Sequence, residues 1–225
     1  CAVMLPAVRD WWQQNAAARP LPFVDVFSEK GVFDLEQTRQ ILLAARALGF
    51  PLKLHVDEFE NIGAASLAAE LGAVSADHLV KTSPRDVEAL ARSDTVAVSL
   101  PCTPFGLGQH EYTPARQIIA AGGLLALATD LNPGPAWCEN MQFVLALACR
   151  AMRLTPAEAL CAATINAAAA VRRDELVGSL EAGKQADALV LQSSDFRDLA
   201  YRFGVNQVQT VIKKGEVVYN APATL

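Results

Sequence analysis

Two hydrophobic periods take turns along most of the chain. The stretch Phe23-Val24-Asp25-Val26-Phe27 is short, apolar and β-branched, which predicts a strand. Asp34, with Gln37 three residues on, forms a capping-box pattern that opens a helix to Leu48, closed by Gly49. Leu52 to His55 predicts the next strand, and the alanine-rich stretch Ala64 to Leu71, stopped by Gly72, the next helix. The series continues with a β-type run from Val74 to Leu79, a helix from Pro84 to Ala91 that Ser83 is placed to cap, and a strand from Thr95 to Leu100. A helix from Pro114 to Ala121 precedes the strand Leu124 to Thr129. Ahead of the series, Cys1 to Gln14 reads as the tail of a helix.

Alternation of helices with strands that are apolar on both faces predicts parallel α/β architecture, either an open doubly wound sheet or a closed barrel. Five such strands are legible. A closed (β/α)8 TIM-type barrel has eight strands and about 250 residues, so the barrel reading places roughly three further units before Cys1. Cys1 is not an initiator methionine, and the expectation is a carboxy-terminal portion of a longer protein that holds the last five β/α units. After Asp130 the pattern turns to successive helices: Glu139 to Met152, Pro156 to Ala163 capped by Thr155 with Glu158 at its third position, and a short one around Asn166 to Val171. From Val177, turns at Gly178, Gly183 and Gly215 separate β-type runs at Ala188–Leu191, Val208–Ile212 and Glu216–Tyr219. The expected division is therefore a barrel portion, residues 1–176, and a small antiparallel β segment, residues 177–225.

Composition narrows the classes. With 52% hydrophobic and 19% charged residues, the chain lies well away from disordered compositions. A net charge of −5 without any run of Lys or Arg argues against nucleic acid as a partner. The five cysteines (Cys1, Cys102, Cys138, Cys149, Cys161) are irregularly spaced among Ala and Leu, which suits reduced thiols and a cytoplasmic setting. The most apolar stretch, Met141 to Cys149, ends at Arg150 and is far shorter than the roughly 20 residues a membrane span needs, so no membrane partner is expected.

Three histidines are present, and two of them end predicted strands: His55 and His78. Asp130 sits where the apolar run Leu124 to Ala128 breaks into Thr-Asp-Leu-Asn-Pro-Gly. In a barrel these carboxy-terminal strand ends share one rim, the place where active sites of that fold lie. Two imidazoles and a carboxylate there are suited to zinc or iron and to activating water. Taken singly, each has a plainer reading: a hydrogen-bonded structural histidine, or an Asx-type turn at Asp130. Glu58, in the loop leaving the His55 strand, is either a solvated acid or a group that reaches a substrate's N–H. His110, in a loop with Gly106 and Gly108, keeps the plain reading, and no histidine adjoins Cys102 or Cys138 in sequence to make a thiol nucleophile.

Several runs together resemble the imidazolonepropionases of the amidohydrolase superfamily. They are Phe27-Ser28-Glu29-Lys30-Gly31-Val32-Phe33, Leu54-His55-Val56-Asp57-Glu58, Ser75-Ala76-Asp77-His78-Leu79 and Ala128-Thr129-Asp130-Leu131-Asn132-Pro133-Gly134, with the run from Val177 to Asp187. The last is shared by many amidohydrolases; the runs Glu29-Lys30-Gly31-Val32-Phe33, His55-Val56-Asp57-Glu58 and Thr129-Asp130-Leu131-Asn132-Pro133-Gly134, in that order, are more specific. The resemblance implies a divalent metal ion, Zn²⁺ or Fe, with His55 and Asp130 as ligands. It implies that Glu58 and His78 stand over the substrate and the activated water, and that Asn132 and Gly134 line the pocket. Asp130, His78 and Glu58 would then divide the acid–base and electrostatic work of opening 4-imidazolone-5-propanoate, a small-molecule substrate, to N-formimidoyl-L-glutamate. The family's other two ligands, a His-x-His pair on the first barrel strand, have no counterpart in this sequence. Pro135-Ala136-Trp137-Cys138 departs from the small hydroxyl residues of many members. Rival readings are another amidohydrolase, such as a guanine or cytosine deaminase-like enzyme, a non-catalytic barrel relative, and an inert portion that holds metal poorly; a homodimer is an admissible assembly.

Overall fold

The computed structural model describes residues 3–222. Cys1, where the leading helix is expected to begin, lies outside them, and the described helix α1 is Met4–Asn15. There follow β1 (Val24–Ser28), α2 (Leu35–Ala47), β2 (Leu52–Val56), α3 (Ala64–Leu71), β3 (Ser75–His78), α4 (Pro84–Ala91) and β4 (Val96–Ser99). Next come α5 (Cys102–Gly106), α6 (Ala115–Ala120), β5 (Leu125–Leu127), α7 (Met141–Ala151), α8 (Pro156–Ala163) and α9 (Ile165–Ala169). The chain closes with β6 (Ala188–Leu191), α10 (Asp198–Tyr201), β7 (Val208–Lys213) and β8 (Glu216–Asn220). Among the described residues the first five strands form one sheet in the order β1-β2-β3-β4-β5, and the last three a separate sheet in the order β6-β7-β8. The predicted α/β class with an antiparallel appendage is the observed one.

Two compact units divide the chain: Cys1–Ser99 with Gln117–Leu124, and Leu100–Arg116 with Leu125–Leu225. In the first, β1, β2, β3 and β4 pair in parallel, with Asp25 opposite Lys53, Lys53 opposite Ser75 and Ser75 opposite Val96. Side chains alternate across a strand, so Leu52, Leu54 and Val56 turn to one face and Lys53 and His55 to the other. The apolar face is sealed by helices. Leu54 and Val56 on the strand, Leu42 and Ala45 on α2 and Ala68 on α3 are wholly removed from water, which is worth about 1.5–3 kcal/mol for each large side chain. The capping box expected at Asp34 and Gln37 forms, with Gln37 N donating to Asp34 Oδ1 at 2.8 Å and Asp34 N to Gln37 Oε1 at 3.1 Å.

In the second unit, the side-chain amide of Asn166 in α9 donates to the carbonyl of Leu125 at 2.7 Å and ties that helix to β5. The antiparallel sheet pairs Leu189 with Val211 and Val211 with Tyr219. Arg150 at the end of α7 donates to the carbonyls of Ala200 and Tyr201 and stacks its guanidinium over Phe203, 4.9 Å from the ring centroid. Gly178 has φ +97° and its would-be Cβ lies 2.9 Å from both Ala168 Cβ and Ile165 Cα, so neither the turn nor the space admits a side chain there. Two helices are absent from the hydrophobic pattern. Helices α5 and α10 have five and four residues, too few to display a 3.6-residue period.

Glu158 closes the α8 capping box by accepting from Thr155 N at 2.8 Å and also takes a two-pronged ion pair from Arg116, at 2.5 and 2.9 Å. The Arg116 guanidinium, followed by the Thr155 amide, holds this carboxyl down at about 2 from an ordinary 4.5. A carboxylate held low in the folded state stabilises the fold above its ordinary value and loses that contribution as pH falls toward the folded value. Because the pair is partly solvated, we expect Glu158→Gln to cost only about 1 kcal/mol at pH 7. The same substitution should cost almost nothing near pH 2, as chemical denaturation at the two pH values would show.

Candidate functional site

Polar residues interrupt the apolar strands of the first unit at alternate positions, and the pleat collects them on one face. Asp25 and Phe27 on β1, Lys53 and His55 on β2, and Ser75 and Asp77 on β3 share it through the registers Asp25–Lys53–Ser75 and Phe27–His55–Asp77. His55 Nδ1 lies 3.1 Å from Asp25 Oδ1, and its ring meets Phe27 edge-on at 5.9 Å. Asp77 accepts from Ser75 Oγ at 2.6 Å and pairs with Lys53 at 3.4 Å. Burial pushes the Asp77 carboxyl above its ordinary value, opposed by the Lys53 charge and the Ser75 hydroxyl. Ligand atoms of Asp25, His55 and Asp77 all lie within 4.8 Å of one another, close enough to gather around one cation.

At the carboxy-terminal ends of β2 and β3, the rings of His55 and His78 meet at a tilt of 43° with centroids 5.2 Å apart. Glu58 brings its carboxylate to 3.6 Å from His78 Nε2. Glu58 is not a solvated acid, since only 7% of it is exposed. What fixes it is a buried carboxylate on another strand end. Glu29, just beyond β1, accepts from Phe59 N at 3.0 Å, Glu60 N at 3.1 Å and Lys30 N at 3.0 Å. Asp57, next to Glu58 and fully buried, accepts from Thr82 Oγ1 at 2.8 Å, and desolvation raises its carboxyl to about 6. Asp57, His78 and Leu79 have φ of 52°, 78° and 62°, a left-handed backbone that ordinary residues avoid. Such conformations persist only where surrounding structure holds them, and they concentrate at working sites.

Asp130 belongs to the second unit and also has a left-handed φ, 56°. The expected strand ends earlier than its apolar run, at Leu127, so Asp130 stands in loop beyond it. Its carboxylate accepts from Thr103 Oγ1 at 2.5 Å. The Asx-type turn belongs to Asn132 rather than to Asp130: Asn132 Oδ1 accepts from Gly134 N at 2.7 Å while its amide donates to the Asp130 carbonyl at 2.6 Å. The same loop closes on α5, because a Cβ on Gly106 would sit 1.8 Å from the Pro135 carbonyl oxygen. Cys102 is buried, and desolvation with the neighbouring Cys138 thiol pushes it up to about 12, which disfavours its thiolate. His110 is exposed in the loop after α5.

Of the residues expected to matter, His55, His78 and Glu58 are brought together in the first unit, and Asp130, Asn132 and Gly134 in the second. Asp25, Asp77, Lys53 and Glu29 are additions. The signal for Asp25, Lys53 and Asp77 was present in the strand sequences, where Asp and Lys are depleted and a charge inside an apolar run needs a reason; Glu29, just beyond β1, carried no such signal.

A family model described as the amidohydrolase family matches residues 34–218, and the chain belongs to that family. Imidazolonepropionase of Herpetosiphon aurantiacus is 56% identical over 96% of this chain, that of Chloroflexus aggregans 50% over 96%, and that of Porphyromonas gingivalis 49% over 97%. The matched regions are 50%, 51% and 50% of those proteins, so the chain spans about half the length of the curated relatives it matches. Among solved structures, a 5-methylcytosine deaminase from Klebsiella pneumoniae superposes with a TM-score of 0.77 at 16% identity, over 98% of this chain and 60% of that one. A zinc-bound adenosine deaminase from Xanthomonas campestris gives 0.72 at 21% identity, over 95% and 54%. At such identities the likeness is one of fold. No helix among the described residues is long and apolar enough to cross a membrane.

Removing the Glu29 carboxylate takes the acceptor from three backbone N–H groups on exposed residues, Lys30, Phe59 and Glu60, where water can partly replace it, a loss of about 1 kcal/mol. Glu29→Ala should lower stability by that amount in denaturant unfolding. It should also speed amide hydrogen exchange at Phe59 and Glu60 selectively; unchanged exchange at those two amides would contradict the role given to Glu29.

Proposed function

We propose that the complete protein is an imidazolonepropionase, a hydrolase that opens the cyclic amide of 4-imidazolone-5-propanoate to N-formimidoyl-L-glutamate. The observation that carries this reading is the grouping of His55, His78 and Glu58 at strand ends, on a chain about half of whose residues are identical to those of relatives bearing that name. The division into a barrel portion, 1–176, and a β segment, 177–225, a cytoplasmic setting and a homodimer belong to the same proposal.

The donor chemistry fits a zinc or iron ion. His55 is an imidazole with one nitrogen held by a carboxylate, and Asp130 is a carboxylate steadied by a hydroxyl. In this reading both would hold the ion, and its chemistry would be that of a Lewis acid that lowers the pKa of a bound water toward about 7. Asp130 accepts the proton that the attacking water gives up. His78 donates toward the ring carbonyl oxygen as negative charge gathers there. Glu58, its charge facing His78, accepts a hydrogen bond from a ring N–H and orients the imidazolone. Asn132 and Gly134 shape the pocket wall. Oxygen adds to the carbonyl carbon, the adjacent C–N bond breaks, and the proton returns to the departing ring nitrogen.

Two substitutions test the assignment in the protein at the length of its curated relatives. Asp130→Ala, in metal-replete protein of unchanged fold, should leave no more than a few per cent of imidazolone turnover; higher retention would exclude Asp130 from the chemistry. Glu58→Gln should keep metal content near wild type while turnover falls by about 10²-fold or more. Loss of metal with that substitution would make Glu58 a ligand instead. Turnover of cytosine or guanine in place of the imidazolone would move the protein to the deaminases.

A further inference from the structure

We propose that Asp25 is a positioning residue that sets which nitrogen of His55 meets the metal; the proposal rests on the functional reading above. Asp25 sits on β1, the neighbour of β2, two residues before Phe27, the register partner of His55, and so shares its face of the sheet. The geometry is specific: Asp25 Oδ1 stands 3.1 Å from His55 Nδ1. A carboxylate accepts and cannot donate, so the contact requires the imidazole proton on Nδ1 and puts the ring's lone pair on Nε2. Imidazoles that bind metals commonly donate their other N–H to a carboxylate, which fixes the tautomer and strengthens the remaining nitrogen as a donor.

A competing arrangement is visible on the same face, since Asp25, His55 and Asp77 could surround a cation by themselves. Charge tells against it. Asp77 is 7% exposed and already has the Lys53 ammonium at 3.4 Å and the Ser75 hydroxyl at 2.6 Å, so its negative charge is answered by the protein. A cation at that point would stand beside the ammonium. Lys53 is therefore better read as the built-in counter-ion of Asp77, which leaves the Asp25 carboxylate to act on His55.

The test uses the complete protein with ¹⁵N-labelled histidine, stripped of metal and then titrated with Zn²⁺. Expected is a His55 signal protonated at Nδ1 in both states, with Zn²⁺ perturbing Nε2. Asp25→Asn, which keeps size but can turn a donor toward the ring, should lower Zn²⁺ affinity by about 10- to 100-fold in a chelator competition. The variant's metal-free His55 signal should shift toward the Nε2-protonated form. Wild-type Nδ1 losing its proton on Zn²⁺ binding would overturn the proposal in favour of the three-residue site. Unchanged affinity and tautomer in a folded Asp25→Asn variant would overturn it as well. Failure of Zn²⁺ to perturb His55 at all would instead remove the functional reading on which the proposal stands. The wild-type spectra decide the tautomer even if the variant does not fold.

Discussion

A parallel sheet carrying charges on one face must answer each of them locally, and the Lys53–Asp77 pair is where that requirement is strictest. Asp77 is almost wholly buried, and a buried carboxylate without a partner costs several kcal/mol. The ammonium of Lys53, from the neighbouring strand, and the hydroxyl of Ser75 meet the need. With Asp77 compensated, His55 is held from the β1 side by Asp25, and the strand registers leave no freedom in who faces whom. A slip of one residue would exchange this polar face with the apolar one of Leu52, Leu54 and Val56.

The loop after β2 is organised on the same principle, with backbone as well as side-chain donors. Glu29 gathers three amides and Asp57 a hydroxyl, so the segment between them is pinned at both ends and Glu58 projects from a rigid support. The left-handed backbone of Asp57 and His78 is the accompanying cost, of order 1–3 kcal/mol for each such residue.

In the second unit a shorter strand serves a comparable end. Strand β5 stops at Leu127, and Asp130 is then oriented by Thr103, by its own left-handed turn and by the Asn132 bridge to Gly134. Gly106 admits the close approach of the Pro135 carbonyl, which a side chain at that position would block.

The sequence by itself determined the element order. Periods of two and 3.6 residues, the caps at Asp34, Ser83 and Thr155, and the glycines after helices are local signals, and local hydrogen bonds decide them. It also singled out His55, His78 and Asp130 by their place at strand ends and Glu58 in the loop leaving one of them, with resemblance supplying their expected roles. The short helices α5 and α10 were illegible because so few residues show no period. Asp25, Lys53 and Asp77 stood in plain view inside apolar strands, yet which charge meets which depends on strand register, a relation between residues about 20 to 50 positions apart that no local pattern encodes. Tertiary structure alone decided that Asp25 faces His55, that Lys53 answers Asp77, and that the conspicuous Glu29 supports the Glu58 loop, because each pairing is made by strands or loops brought together only when the sheet forms.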